Sequence, residues 1–315
     1  MSAETLPAAA EVRSPADLGL GDEPRRAGPQ DTSQAHLRAK LDAELRVLLA
    51  TEAGTRSGRD PEDLHQMRVA VRRMRSVLRV AEGRDAETVR AELKWLGTAL
   101  GEVRDYDVLI AHLRDVVDRF DDQDREPAAL LIALFDAERA EARRRMNQAL
   151  GSSRYDSLLI AIAELSRDAE VRSTPETSRL DAAQALRKPY RKLTKAAKRL
   201  PEIPSDAELH ALRIRGKRLR YAAEMATPAA GKKQAKRLGS LVKAAKKLQD
   251  VLGDHQDAVV AAARVRAVAA LSGAPPVDFV AGRVVEHETC RRTEARSVWP
   301  DALAAVSALA SRMVA

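Results

Sequence analysis

Cysteine, aromatic residues and long apolar runs are all scarce in this chain, and each shortage closes a class of function. A single cysteine, Cys290, leaves no internal disulfide framework and no multi-cysteine zinc site. On a helical stretch such a lone thiol reads as a small packing residue. Aromatics make up 3% of 315 residues, which removes the stacking platforms used by binders of single-stranded nucleic acid. No run approaches about eighteen uninterrupted apolar residues, so no membrane span is predicted. The first thirty residues lack the apolar core of a signal peptide, and a soluble, cytoplasmic protein is expected. No Gly-x-x-x-x-Gly-Lys-[Ser/Thr] loop, His-Glu-x-x-His pair or acidic cluster suited to magnesium occurs, so no catalytic residue, metal ligand or cofactor is assigned and the chain reads as a non-enzyme.

What the chain has in excess is positive charge. It carries a net +8 with a pI near 9.7, a balance that favours polyanionic partners. The distribution is sharper than the total, because residues 187–247 hold 19 Lys or Arg against 4 Asp or Glu. Sustained Val/Ile/Thr alternation is absent, and Ala, Leu, Arg and Glu give high helical propensity almost throughout.

The charge is patterned. In the stretch Leu64-His65-Gln66-Met67-Arg68-Val69-Ala70-Val71-Arg72-Arg73-Met74-Arg75, continued to Arg79, His65, Arg68, Arg72, Arg75 and Arg79 occupy roughly 80° of a helix surface at about 100° per residue. They run beside an apolar stripe of Leu64, Met67, Val71, Met74 and Leu78. His210, Arg213, Lys217 and Arg220 repeat the pattern 145 residues later. A second pair of segments follows: Lys94 to Asp105 aligns with Lys246 to Asp257, matching Lys94 to Lys246, with Arg104 opposite Gln256. Such self-similarity at half-chain length predicts an internal duplication. Like charges at helical spacing repel, so an anion is expected to offset them.

These paired His-x-x-Arg-x-x-x-[Arg/Lys]-x-x-Arg helices, each followed by a Leu-Gly-x-x-Arg-Asp-like segment, resemble the CHAD domain, the conserved histidine α-helical domain. The resemblance covers residues 33 to 313 and implies an all-α fold of two pseudo-symmetric four-helix-type bundles, 33–173 and 174–313, flanking a basic central cavity. It implies binding of inorganic polyphosphate without catalysis, with attachment to polyphosphate granules and granule-associated proteins as extensions. Gln256 departs from the pattern at the place of Arg104, and no fused triphosphatase is indicated, since Glu286-His287-Glu288-Thr289-Cys290 lacks the lysine of that signature.

Candidate contacts to phosphate are therefore His65, Arg68, Arg72, Arg75, Arg79, Lys94, Arg104, His210, Arg213, Lys217, Arg220 and Lys246, with Arg187, Arg191 and Lys195 added because they share one face of a basic helix. Arginine supplies a planar fork, lysine a mobile charge and imidazole further donors. Arg73, Arg215 and Arg218 rotate off the stripe and are expected in surface salt bridges, Lys188 and Lys192 in solvent. Asp105 and Asp257 are expected to hold arginines, and His36, His112, His255 and His287 receive no role. Competing readings are a nucleic-acid-binding helical protein, non-specific at low salt, and an accessory subunit of a polyphosphate- or triphosphate-metabolising enzyme. Residues 1–32, rich in proline, are expected to be a disordered tail. Helices are predicted at 33–53, 61–81, 84–100, 104–120, 126–150, 154–171, 178–199, 205–226, 231–252, 255–272, 276–297 and 300–313.

Overall fold

The computed structural model describes residues 13–28, 31–79, 81, 83–167, 182–227 and 230–314. Among the described residues the chain is all-α: α1 (Ser33–Ser57), α2 (Pro61–Val77), α3 (Arg84–Val117), α4 (Arg125–Leu150), α5 (Ser153–Arg167), α6 (Ala182–Ala197), α7 (Asp206–Ala226), α8 (Lys232–Ser272) and α9 (Pro275–Val314), with no strand. None of these helices is long and apolar enough to cross a membrane. The chain divides into two compact units, Met1–His112 with Ile132–Glu176 and Leu113–Leu131 with Thr177–Ala315.

Three pairs of predicted helices are continuous. α3, α8 and α9 run through Gly101, Gly253 and Pro300, where the sequence suggested breaks. Each glycine costs only about 1 kcal/mol inside a helix, and a neighbouring arginine packs against each. Past Pro300 the apolar spacing of Ala302, Val306 and Ala310, all buried, holds α9 in register.

In the first unit one core draws on α1 to α5, five helices rather than the four expected. The predicted stripe of α2 is its centre: Leu64, Met67, Val71, Met74 and Leu78 are each at most 2% exposed. Asp60 caps α2 by accepting from the Glu62 amide at 2.8 Å, with Pro61 in the first turn. α1 and α4 cap one another's C-termini: Arg56 donates to the Leu150 carbonyl and Arg143 to that of Arg56 at 3.1 Å.

The expectation of disorder over 1–32 is corrected for residues 13–28. Leu18 and Leu20 are buried in the first unit's core, and Arg46 donates to the carbonyls of Gly21, Asp22 and Glu23. The Arg25 amide donates to the buried Asp42 carboxylate at 2.8 Å. Two leucines and one guanidinium anchor a segment whose average composition resembles a linker. Residues 1–12 and 29–30 lie outside the described residues, as do the boundary near Ser173 and the predicted helical ends 168–171 and 178–181.

The second unit has a four-helix core from α6, α7, α8 and α9. Residues 113–131, read from the sequence as part of the first half, group with this unit. Arg283 of α9 stacks over Phe120 at 4.1 Å and pairs with the buried Asp124. α7 starts with the predicted capping box of Ser205 and Glu208. Beside it Asp206 gathers Arg292 at 2.9 Å and Arg296 at 2.6 Å from α9, and His255 of α8 at 3.1 Å, the last without hydrogen-bond alignment. Burial pushes the Asp206 pKa up, but the two guanidiniums outweigh it and hold the carboxyl below its ordinary range. Cys290 is exposed rather than packed, because it sits about 200° round α9 from the buried Glu288.

His255, given no role by the sequence, is a buried member of this clamp. Burial, the largest influence, lowers its pKa; Asp206 opposes, while Arg296 and Arg292 add to the lowering. The folded value thus lies below the unfolded one of about 6.5, so the unfolded state takes up protons first. Stability from this group is complete above about pH 6.5 and is lost as pH falls toward the folded pKa. Urea unfolding should show that loss in the native chain, and His255→Gln should flatten it; an unaltered pH profile would remove His255 from the account.

Candidate functional site

Each unit carries one basic stripe, and in each the stripe is seated the same way. In the first, α2 presents His65, Arg68 and Arg75 half-buried and Arg72 exposed. α2 ends at Val77, so Arg79 stands in the following turn rather than on the helix, a correction to the sequence reading. It still meets Arg75: the two line a cleft of about 370 Å³ with Arg90, Lys94, Glu87 and Ala91 of α3. Three predicted residues, Arg75, Arg79 and Lys94, are brought together there. Arg90 was missed because its counterpart in the second repeat is Val242.

Deeper on the same helix, Arg68 lies across Gly101 of α3. A Cβ on that glycine would come within 2.8 Å of the Arg68 Nη1. Asp105 is 3.9 Å away, a loose ion pair that matches the expected part for this aspartate. Burial lowers the Arg68 pKa; Asp105 opposes this, while Arg104 and Arg72 reinforce it. Arg72 and Arg104 are therefore each close enough to repel Arg68. The Arg68 Nη1 is buried without a hydrogen-bond acceptor, as is the Arg75 Nε.

In the second unit α7 presents His210, Arg213 and Arg220 half-buried and Lys217 exposed. Arg213 lies over Gly253 of α8, the position equivalent to Gly101, with its Nη2 3.5 Å from where a Cβ would stand. Both Lys217 and Arg220 approach the face of Tyr221, at 5.7 and 4.8 Å, an aromatic contact the sequence reading missed. Arg220 also pairs with Glu224 at 2.8 Å, which the charge count alone did not show. His210 Nδ1 and Arg220 Nε are buried without an acceptor. Lys246 is exposed on α8, and Arg187, Arg191 and Lys195 are exposed on α6.

The residues set aside as off-stripe divide. Arg73 is 3.4 Å from the buried Glu44 carboxylate, as expected. Arg215 and Arg218 make no ion pair with any described residue; they border a groove with Lys188 and Lys192.

Comparison with known proteins bears on the family and the fold. A profile of the CHAD domain matches residues 39–266. Two uncharacterized proteins of Mycobacterium tuberculosis, MT2285 of strain CDC 1551 / Oshkosh and Rv2226 of strain ATCC 25618 / H37Rv, are each 34% identical over 254 residues, 74% of this chain and 45% of theirs. The chain thus corresponds to about half the length of those relatives. The crystal structure of the CHAD domain from the plant Ricinus communis superposes with a TM-score of 0.64 at 28% identity, covering 90% of this chain and 98% of that one. PptA from Streptomyces chartreusis superposes at 0.62 and 25% identity, covering 86% and 97%.

The glycines under the two arginines differ in tightness, and that difference is measurable. A helix-interior Gly→Ala change stabilises by about 1 kcal/mol where nothing must move. Gly253→Ala meets Arg213 at ordinary contact distance, whereas Gly101→Ala must displace the Arg68 guanidinium. Chemical unfolding should show the larger gain for Gly253→Ala; equal gains would mean that Arg68 is not held where the stripe requires it.

Proposed function

The chain belongs to the CHAD domain family, and from that membership and its two basic stripes we propose that it binds inorganic polyphosphate, without catalysis, through those stripes. The observation that carries this reading is the set of half-buried donors with no acceptor, Arg68 Nη1, Arg75 Nε, His210 Nδ1 and Arg220 Nε, repeated in both units. An unsatisfied buried donor costs about 1–3 kcal/mol, more when charged, and a run of phosphate oxygens satisfies several at once. Arg72, Lys217, Lys94 and Lys246 stand nearer to solvent and supply charge along the chain. Arg104 serves the first repeat only. Arg187, Arg191 and Lys195 extend the basic surface on α6.

The reading is one of binding because the stripes assemble donors rather than carboxylates able to hold a catalytic cation. Granule attachment follows from the same affinity wherever polyphosphate is condensed. An accessory role beside a polyphosphate- or triphosphate-metabolising enzyme uses the same site and adds no residue to it.

Charge-assisted hydrogen bonds are worth about 1.5–3 kcal/mol each, so reversing one cation in each stripe, Arg72→Glu with Lys217→Glu, should weaken polyphosphate binding on the order of a hundredfold or more. Reversing the exposed Arg59 and Arg266, equal in charge but off the stripes, should cost far less. Titration across a salt series should also show a shallower dependence of log affinity on log salt for the stripe variant. Equal losses in the two variants would show that net charge alone matters.

A further inference from the structure

α7 is basic on two opposite sides, and the second side has no place in the reading above. Arg215 and Arg218 lie about 200° and 140° round the helix from Arg213, so they point away from the stripe. There they meet Lys188 and Lys192 of α6 across a groove of about 130 Å³ with Pro189 in its wall. Lys188, Lys192 and Arg218 are exposed and Arg215 is half-buried. The Arg215 Nε is itself buried without an acceptor.

Four cations share this groove, and the acids that could neutralise them are committed elsewhere. The segment 187–247 contains Glu202, Asp206, Glu208 and Glu224. Asp206 is held by Arg292 and Arg296, Glu208 closes the capping box of α7, and Glu224 pairs with Arg220. Glu202 remains, exposed in the turn between α6 and α7. None of the four groove cations has an ion-pair partner among the described residues. Repulsion within such a cluster favours an added anion.

The spacing selects the kind of anion. Lys188 and Lys192 are about 6 Å apart along α6, Arg215 and Arg218 about 4.5 Å apart along α7, and packed helices lie about 8–10 Å apart. Two short rows of cations facing across that gap fit a narrow, linear, densely charged chain. Arginine forks on one wall and mobile lysines on the other match tetrahedral phosphate oxygens.

We propose that the α6–α7 groove is a second polyphosphate site, independent of the stripes, so that one molecule engages two segments of phosphate chain. The proposal builds on polyphosphate as the ligand of the stripes. Because the two sites lie on opposite sides of a helix about 10–12 Å across, a short chain fills one and a long chain links neighbouring molecules.

Calorimetric titration with a short linear polyphosphate of defined length tests this. The combined variant Lys188→Gln, Lys192→Gln, Arg215→Gln, Arg218→Gln should bind one short chain fewer than the native chain, and keep the affinity of the tighter native class. Light scattering with long polyphosphate should fall to a small fraction in that variant. Unchanged stoichiometry would overturn the groove site, as would loss of the tighter class. Displacement of the groove-bound chain by poly-glutamate at matched charge would reassign the groove to acidic peptides and equally overturn it. The variant Arg68→Gln, Arg72→Gln, Arg213→Gln, Lys217→Gln separates the two claims: unchanged stoichiometry in that variant would sink the stripe reading while leaving the groove intact.

Discussion

A row of guanidiniums held beside a buried apolar stripe is the constraint around which each unit is arranged. The buried side chains Leu64, Met67, Val71 and Met74 fix the rotation of α2, and that rotation fixes where Arg68, Arg72 and Arg75 emerge. Arg68 and Arg75 are half-buried, so they lose solvent while standing near others of their own sign, whereas Arg72 stays exposed. The lowered Arg68 pKa is the local expression of that cost, with burial as its largest cause and Arg104 and Arg72 adding to it. A polyanion is the species that relieves several such costs together. Asp105 alone, 3.9 Å from Arg68, does so weakly.

The second element of the arrangement is the glycine beneath each leading arginine. Gly101 and Gly253 stand at aligned positions of the two similar segments, and each lets a guanidinium approach a long helix closely. A companion contact recurs with its partners exchanged. Gly97 of α3 faces Val71 of α2, and Gly216 of α7 faces Leu248 of α8, each close enough that a Cβ would stand 3.4 Å away. Helix against helix at small residues is how both units bring a basic face and its crossing helix together.

Much of this was legible in the sequence, for physical reasons. Amphipathic periodicity located the core face of α2, and the Asp60-Pro61 and Ser205/Glu208 caps located the helix starts, because both signals are local. What escaped depends on neighbours. α3 and α8 continue through Gly101 and Gly253, where glycine alone suggests a break but the flanking helical residues outweigh its small cost. The packing of residues 13–28 hangs on Leu18, Leu20 and Arg46, too few residues to shift a composition average. Arg90 has no counterpart in the repeat, and the groove joining Lys188 and Lys192 to Arg215 and Arg218 arises only when α6 and α7 pack. His255 gave no pattern of its own, since its partners Asp206, Arg292 and Arg296 come from two other helices.

The proposed ligand of these donors is a phosphate chain rather than any polyanion. With aromatics at 3%, the chain offers few faces on which bases could stack, so nucleic acid should be held through its phosphates alone. The most direct measurement is a competition in which long polyphosphate, duplex DNA and single-stranded RNA, matched in phosphate concentration at physiological salt, displace a labelled polyphosphate from the native chain. Polyphosphate should displace the label at concentrations where neither nucleic acid competes; equal displacement by all three would mean that phosphate charge alone is recognised.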